Sequence, residues 1–270
     1  MFTSSDGTKH SKIGASSMAR WSNCPGSVQL SEIAPLPPEN EHAILGTLAH
    51  EVASFILEEQ IESAPDEVAR AFKIDNKKAQ EILKAVSQYV DYFNKIYESS
   101  PKNKCWVEHS FDMAQVYPGA FGTADGVIYE PEAEKVHVID YKHGAGILVE
   151  AKDNLQLQYY ALGALETLKL PCKVVQMTIV QPRCFHPKGP IRHWEVPITH
   201  FIDFEEFLVE KASLTDRHRP AFKEGAHCIF CPGINICPIK EKALEAKAKN
   251  RFTPVYKSDP KDDFEPIVGD

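Results

Sequence analysis

The sequence predicts an α/β fold: a central mixed β-sheet flanked by helices, with a helical N-terminal region before it and a cysteine-rich region after it. Three observations predict this. Apolar residues recur at helical spacing between residues 40 and 98, three strand-like segments follow in succession, and a helical stretch then alternates with β-branched runs.

Residues 1–15 are rich in Ser, Gly, Lys and Thr without apolar periodicity, so a disordered arm is expected there, with the folded part starting near Ser16. Ile44, Leu48, Val52, Phe55 and Ile56 mark one helix, and Ile82, Val86, Tyr89, Val90 and Phe93 another. Strands are predicted at Cys105 to Phe111, Thr123 to Tyr129 and Lys135 to Tyr141, separated by Pro118-Gly119 and Glu130-Pro131, which reads as an antiparallel meander. Asn154 to Leu168 is helical, with Leu155, Tyr159 and Leu162 expected against the sheet. Lys173 to Val180 and Ile191 to Val196 are strands, Phe201 to Leu214 is a helix, and a Cys- and Pro-containing loop leads to a charged helix near Ile239 to Asn250. The expected organisation is one domain over 16–250, with a helical part to residue 100, a sheet core over 101–200 and a cysteine-bearing helical part over 201–250. An acidic tail over 251–270 completes it.

With 270 residues and 43% hydrophobic content the chain can bury a substantial core. No apolar run approaches the roughly 20 residues that span a bilayer, and Met1 to Arg20 lacks a secretory hydrophobic stretch, so a cytoplasmic protein without membrane contact is expected. Seven cysteines in a reducing compartment point to metal binding rather than disulfides. The net charge of -8 argues against nucleic-acid binding through bulk charge. Between Lys135 and His200, however, eight Lys/Arg face five Asp/Glu, making that segment the phosphate-facing candidate.

The period of two in Val136-His137-Val138-Ile139-Asp140-Tyr141-Lys142 puts Val136, Val138, Asp140 and Lys142 on one face. A carboxylate beside an ammonium suits phosphodiester hydrolysis, the first holding a hard cation and the second steadying the attacking water or the developing charge. Gly122-Thr123-Ala124-Asp125-Gly126 sets a second carboxylate among small residues, where a phosphate backbone can approach, and two carboxylates suit Mg²⁺ or Mn²⁺. The competing reading of either motif alone is an exposed ion pair or a turn aspartate.

Together these motifs resemble the PD-(D/E)XK superfamily in its RecB-like branch, and so imply a restriction-endonuclease-like core and metal-dependent nuclease activity. Gly122 to Asp125 and Asp140-Tyr141-Lys142 match its central elements. Gly46-Thr47-Leu48-Ala49-His50 matches its Gly-x-x-x-His motif, and Gln156-Leu157-Gln158-Tyr159-Tyr160 its Gln-x-x-x-Tyr motif. The resemblance implies catalytic roles for His50, Asp125, Asp140, Lys142, Gln156 and Tyr160, with the metal held by His50, Asp125 and Asp140. Glu108 resembles an acidic residue often found in the preceding strand and is expected in a supporting position, an exposed strand glutamate being the alternative.

Cys228-x2-Cys231-x5-Cys237 is a three-thiolate array lacking a local fourth ligand, for which Cys24 is the candidate. Thiolates select zinc or iron-sulfur clusters, and four cysteines alone do not decide between them. Iron-sulfur members of the RecB-like branch, including AddB-type and CRISPR-adaptation nucleases, carry one cysteine before the His motif and three near the end. The resemblance therefore implies a structural 4Fe-4S cluster, with Zn²⁺ or buried free thiols the alternatives. Trp21 to Ser27 and Gln181-Pro182-Arg183 are similar to phage-encoded proteins of this type, over about Ser16 to Lys242. Arg183, Lys188 and Arg192 are the expected DNA-backbone contacts, with simple surface solvation as the alternative.

The expected function is thus a DNA nuclease, an exonuclease acting on ends or single strands in phage-type recombination, replication or degradation, located in the host cytoplasm if phage-encoded. A non-catalytic DNA- or protein-binding module that keeps the fold is the competing class. The tail, with Asp259, Asp262, Asp263, Glu265 and Asp270 around Phe264, Ile267 and Val268, is by default a solvated, unstructured segment, the alternative being a dock for a recombinase, helicase or single-stranded-DNA-binding protein.

Overall fold

The computed structural model describes residues 2–3, 9–35 and 40–252. The acidic tail from residue 253 onward lies outside the described residues, as do positions 1, 4–8 and 36–39. The expected disordered arm needs correcting at its end. Phe2–Thr3 (β1) pairs antiparallel with Lys9–His10 (β2), while Ile13 (0% exposed) and Ala15 enter the core. A lone apolar anchor such as Ile13 leaves no periodic signal.

The N-terminal part is helical: Met18–Trp21 (α1), Gly26–Ile33 (α2), Glu41–Leu57 (α3), Pro65–Phe72 (α4) and Asn76–Tyr97 (α5). Local chemistry sets their starts. Asn40 Oδ1 accepts the His42 N–H at 2.9 Å to open α3, Pro65 occupies the first turn of α4, and Asp75 Oδ1 accepts the Lys78 N–H at 2.8 Å to open α5.

A five-stranded sheet follows in the order β3-β4-β5-β6-β7, built from Lys104–Asp112 (β3), Phe121–Glu130 (β4), Lys135–Tyr141 (β5), Val174–Val180 (β6) and Ile191–Pro197 (β7). β3, β4 and β5 form the predicted antiparallel meander. β5 and β6 are parallel, which requires a crossover, supplied by Leu155–Leu168 (α6). β7 returns antiparallel, making the sheet mixed. His200–Thr215 (α7), short 3₁₀ turns at Ala226–Phe230 and Pro232–Ile236, and Pro238–Phe252 (α8) complete the described chain.

Helices cover both faces of the sheet. On one, α6 packs with Val127, Val136, Val138, Met177 and Ile179, together with Trp21, Phe201 and Leu208. On the other, Val52, Val86, Tyr89 and Phe93 of α3 and α5 pack on Ile128, Ile139 and Tyr141. The single apolar stripe expected for α6 is corrected. Leu157, Tyr159, Tyr160, Ala161 and Leu162 are all buried, because α6 lies between the sheet and the elements around α1 and α7. Among the described residues no helix is long and apolar enough to cross a membrane.

Candidate functional site

Asp140 is the last residue but one of β5, on the face toward α6, and Lys142 follows just beyond the strand, its backbone N–H continuing the ladder to the Val180 carbonyl at 2.9 Å. The Lys142 Nζ donates to Asp140 Oδ1 at 3.0 Å and to Gln156 Oε1 at 2.9 Å, and Gln156 Nε2 donates to the Tyr160 hydroxyl at 2.9 Å. Four residues separate Gln156 from Tyr160 on α6, so one helical face presents both. Asp140, Lys142, Gln156 and Tyr160 thus form one chain of contacts. Asp140 is 1% exposed, and its Oδ2, though 2.9 Å from Nζ, has no hydrogen bond of acceptable geometry.

A second group forms where β3 and β4 change face. Gly122 and Ala124 of β4 lie against α6, yet Gly126 and Ile128 lie against α5, so the alternation slips by one residue at Asp125. Glu108 lies opposite Asp125, between the pairs Val107–Gly126 and His109–Ala124, and its φ of 43° is in the left-handed region that a glutamate adopts only under constraint. Gly126 is needed there because a Cβ would come within 2.7 Å of the Tyr89 hydroxyl. The slip turns both carboxylates toward α3. His50 Nδ1 lies 3.4 Å from Asp125 Oδ1 and 3.7 Å from Glu108 Oε1, and the three ligand atoms all fall within 4.8 Å of one another. Asp125 Oδ2 accepts the Tyr141 backbone N–H at 2.6 Å, which fixes it against the strand carrying Asp140.

The electrostatics are those of a crowded acidic site. Burial would lower the His50 pKa, but Asp125 and Glu108 outweigh it and raise it to about 10. Burial would raise Asp125; His50, Lys142 and the Tyr141 N–H instead hold it below the usual range. Burial raises Glu108 and pushes Asp140 up to about 6 despite Lys142. A His50–Glu108–Asp125 group within coordinating reach, with the buried Asp140 carboxylate beside it, fits a hard divalent cation, whose binding would displace the proton that Asp125 and Glu108 hold on His50.

The metal set expected from sequence was His50, Asp125 and Asp140. Glu108, expected only in support, stands in the compact group, while Asp140 is paired with Lys142. The period-two reading could not see this, because the slip at Glu108 and Asp125 breaks the period. Sequence reasoning also missed His143, whose buried Nδ1 lies 2.8 Å from the Tyr141 hydroxyl. The expectation for Arg192 is corrected. It is 5% exposed and donates to the carbonyls of Val149, Gly189 and Pro190 and to Gln181 Oε1, so it ties loops together and cannot face a phosphate. Arg183 and Lys188 are exposed.

The cysteines separate into two sets. Cys24, Cys228, Cys231 and Cys237 line one cavity of about 260 Å³. Two close approaches close the long sequence gap: a Cβ on Gly26 would lie 2.7 Å from the Phe222 ring, and one on Gly233 would lie 2.5 Å from Leu30. Gly26 N–H donates to the Ala221 carbonyl at 2.9 Å, and the Lys223 N–H to Cys24 Sγ at 3.4 Å. Cys105, Cys172 and Cys184 lie elsewhere, Cys172 donating to the Val174 carbonyl at 3.1 Å.

Fold and site together define an α/β protein with a mixed five-stranded sheet and a histidine–carboxylate group able to hold a metal ion beside an Asp–Lys pair. The chain belongs to the DUF2800 family, "Protein of unknown function (DUF2800)", whose model matches residues 10–263. Among solved structures it is similar to SSO0001, with 16% identity and a TM-score of 0.41 over 87% of this chain and 90% of that chain. It is also similar to an alkaline exonuclease (LHK-Exo) from Laribacter hongkongensis, with 11% identity and a TM-score of 0.29 over 59% of this chain and 73% of that chain. Neither likeness is strong enough to assign an activity.

Proposed function

We propose that the chain is a Mg²⁺- or Mn²⁺-dependent deoxyribonuclease of the RecB-like type, acting as an exonuclease on DNA ends or single strands in phage-type DNA recombination, replication or degradation. The observation that carries this reading is the convergence of His50, Glu108 and Asp125 beside the buried Asp140–Lys142 pair. His50, Glu108, Asp125 and Asp140 would hold the ion, which when bound polarises a phosphoryl oxygen and acidifies a water. The remaining residues position groups. Lys142, steadied by Asp140 and Gln156, offers Nζ donors to the attacking water and the developing phosphoryl charge. Tyr160 orients Gln156, and the Tyr141 N–H orients Asp125.

The four-cysteine cavity we assign to a structural 4Fe-4S cluster. Four cysteines lining one cavity supply the thiolate set that such a cluster needs. The cluster would tie the segment at Cys24 to the C-terminal turns. Anaerobic purification should give a brown protein with iron and acid-labile sulfide; a colourless zinc protein would overturn the assignment.

The functional reading is tested with end-labelled linear, end-blocked and circular DNA in Mn²⁺. Loss of label from free ends with circles intact is expected. Cutting of circles would replace exonuclease by endonuclease, and no cutting of any substrate would remove the nuclease reading.

A further inference from the structure

Phe185, in the loop between β6 and β7, is 89% exposed and flanked by the exposed cations Arg183 and Lys188. An aromatic ring so far out of the core has no packing role, and the base of its loop is fixed. Gln181, 1% exposed at the loop's base, accepts the Val149 N–H at 3.1 Å and donates to the carbonyls of Gly144 at 3.0 Å and Ile147 at 2.7 Å. Arg192 adds its bonds to Val149 and to Gln181 from the other end of the loop. These contacts lock the β6–β7 loop onto the segment that immediately follows Lys142. Arg183 Nη1 reaches the His143 carbonyl at 3.4 Å, one residue beyond the reactive lysine. Ile147 and Leu148, on the partner segment, are also exposed.

An exposed ring flanked by cations, on a loop whose base is tied to the segment after Lys142, matches the chemistry of a single-stranded nucleic acid. The ring offers a stacking surface and the cations meet flanking phosphates. Glu150, the acid that could oppose this, is engaged by His186 at 2.9 Å. We propose that Phe185 stacks on an unpaired base of the strand whose phosphate enters the Asp140–Lys142 site, making single-stranded or frayed DNA the substrate class. The inference rests on the nuclease reading above. A base inside a duplex is already stacked on its neighbours and presents no free face to the ring.

The test uses a single-stranded oligonucleotide carrying 2-aminopurine, bound in Ca²⁺, with wild type, Phe185→Ala and Phe185→Trp. Stacking should quench the probe in wild type. Phe185→Ala should lose the quench and bind about tenfold more weakly, whereas Phe185→Trp should keep both. Equal quenching and affinity in wild type and Phe185→Ala, or no quench in wild type, would overturn the proposal. Cleavage of the same oligonucleotide in Mn²⁺ separates the two readings. A Phe185-dependent quench without cleavage removes the nuclease activity and keeps the stacking contact, while cleavage without a Phe185-dependent quench does the reverse.

Discussion

The backbone N–H of Tyr141 donates to the carboxylate of Asp125 at 2.6 Å, so the two acid-bearing strands are joined at the point where their acids emerge. This bond separates two substitutions that a simple ligand role would treat alike. Asp125→Asn keeps an oxygen for the Tyr141 N–H and loses the charge interaction with His50, so it should be the more stable of the two variants. Asp125→Ala strands that buried donor, which costs about 1–3 kcal/mol. Urea midpoints of the two variants measure the difference.

Gln156 bridges Lys142 and Tyr160, and its removal leaves the ammonium held by Asp140 alone and the phenol without its partner. Gln156→Ala should lower the turnover rate by about tenfold to a hundredfold through lost positioning, with Mn²⁺ affinity little changed. Pre-steady-state cleavage and a Mn²⁺ titration check the two halves. A large loss of Mn²⁺ affinity would instead make Gln156 part of the metal site.

Two glycines should answer oppositely to alanine. A Cβ on Gly46 meets nothing within 4 Å, and Gly46 sits inside α3 one turn before His50. Gly46→Ala should stabilise the fold by about 0.5–1 kcal/mol while weakening substrate binding, if that open space admits DNA. Gly126→Ala would press on Tyr89 and Phe93 within 3 Å and should destabilise by about 1–3 kcal/mol. Thermal melts and DNA affinities of both variants report the contrast.

His143 makes stability depend on pH. Burial, with Arg183 and His50 nearby, lowers its pKa from 6.5 to about 4, so the folded protein keeps the ring neutral where the unfolded chain protonates it. Its contribution is complete above pH 6.5 and is lost as pH falls toward 4. Between pH 7.5 and 5 the loss from this residue is on the order of 1–2 kcal/mol. His143→Gln should show a correspondingly flatter urea midpoint against pH, and an identical slope would exclude the residue as the source.

The sheet and its helices were legible because their periods were regular. Val136 to Lys142 alternates cleanly, and Ile82 to Phe93 keeps helical spacing, so both elements lie where the pattern puts them. Asp140 next to Lys142 and Gln156 above Tyr160 were legible for the same reason. The part of the site at Glu108 was not. Its left-handed backbone and the face change at Asp125 arise from pairing two strands under α5, which no local pattern encodes. Arg192 misled for a related reason. Its partners Val149 and Gln181 come from other segments, so a strand arginine expected at the DNA backbone is enclosed. The convergence of Cys24 with Cys228, Cys231 and Cys237 depended on close packing at Gly26 and Gly233, invisible as spacing alone.

The most direct test of the central claim is single-turnover hydrolysis of end-labelled DNA in Mn²⁺ by wild type, Asp125→Asn and Lys142→Ala, each shown to be folded. Wild type should cleave and both variants should fall by at least about a hundredfold, since each lacks a group that acts on the transition state. Equal rates in all three proteins would contradict the assignment of His50, Glu108, Asp125, Asp140 and Lys142 as the reactive site.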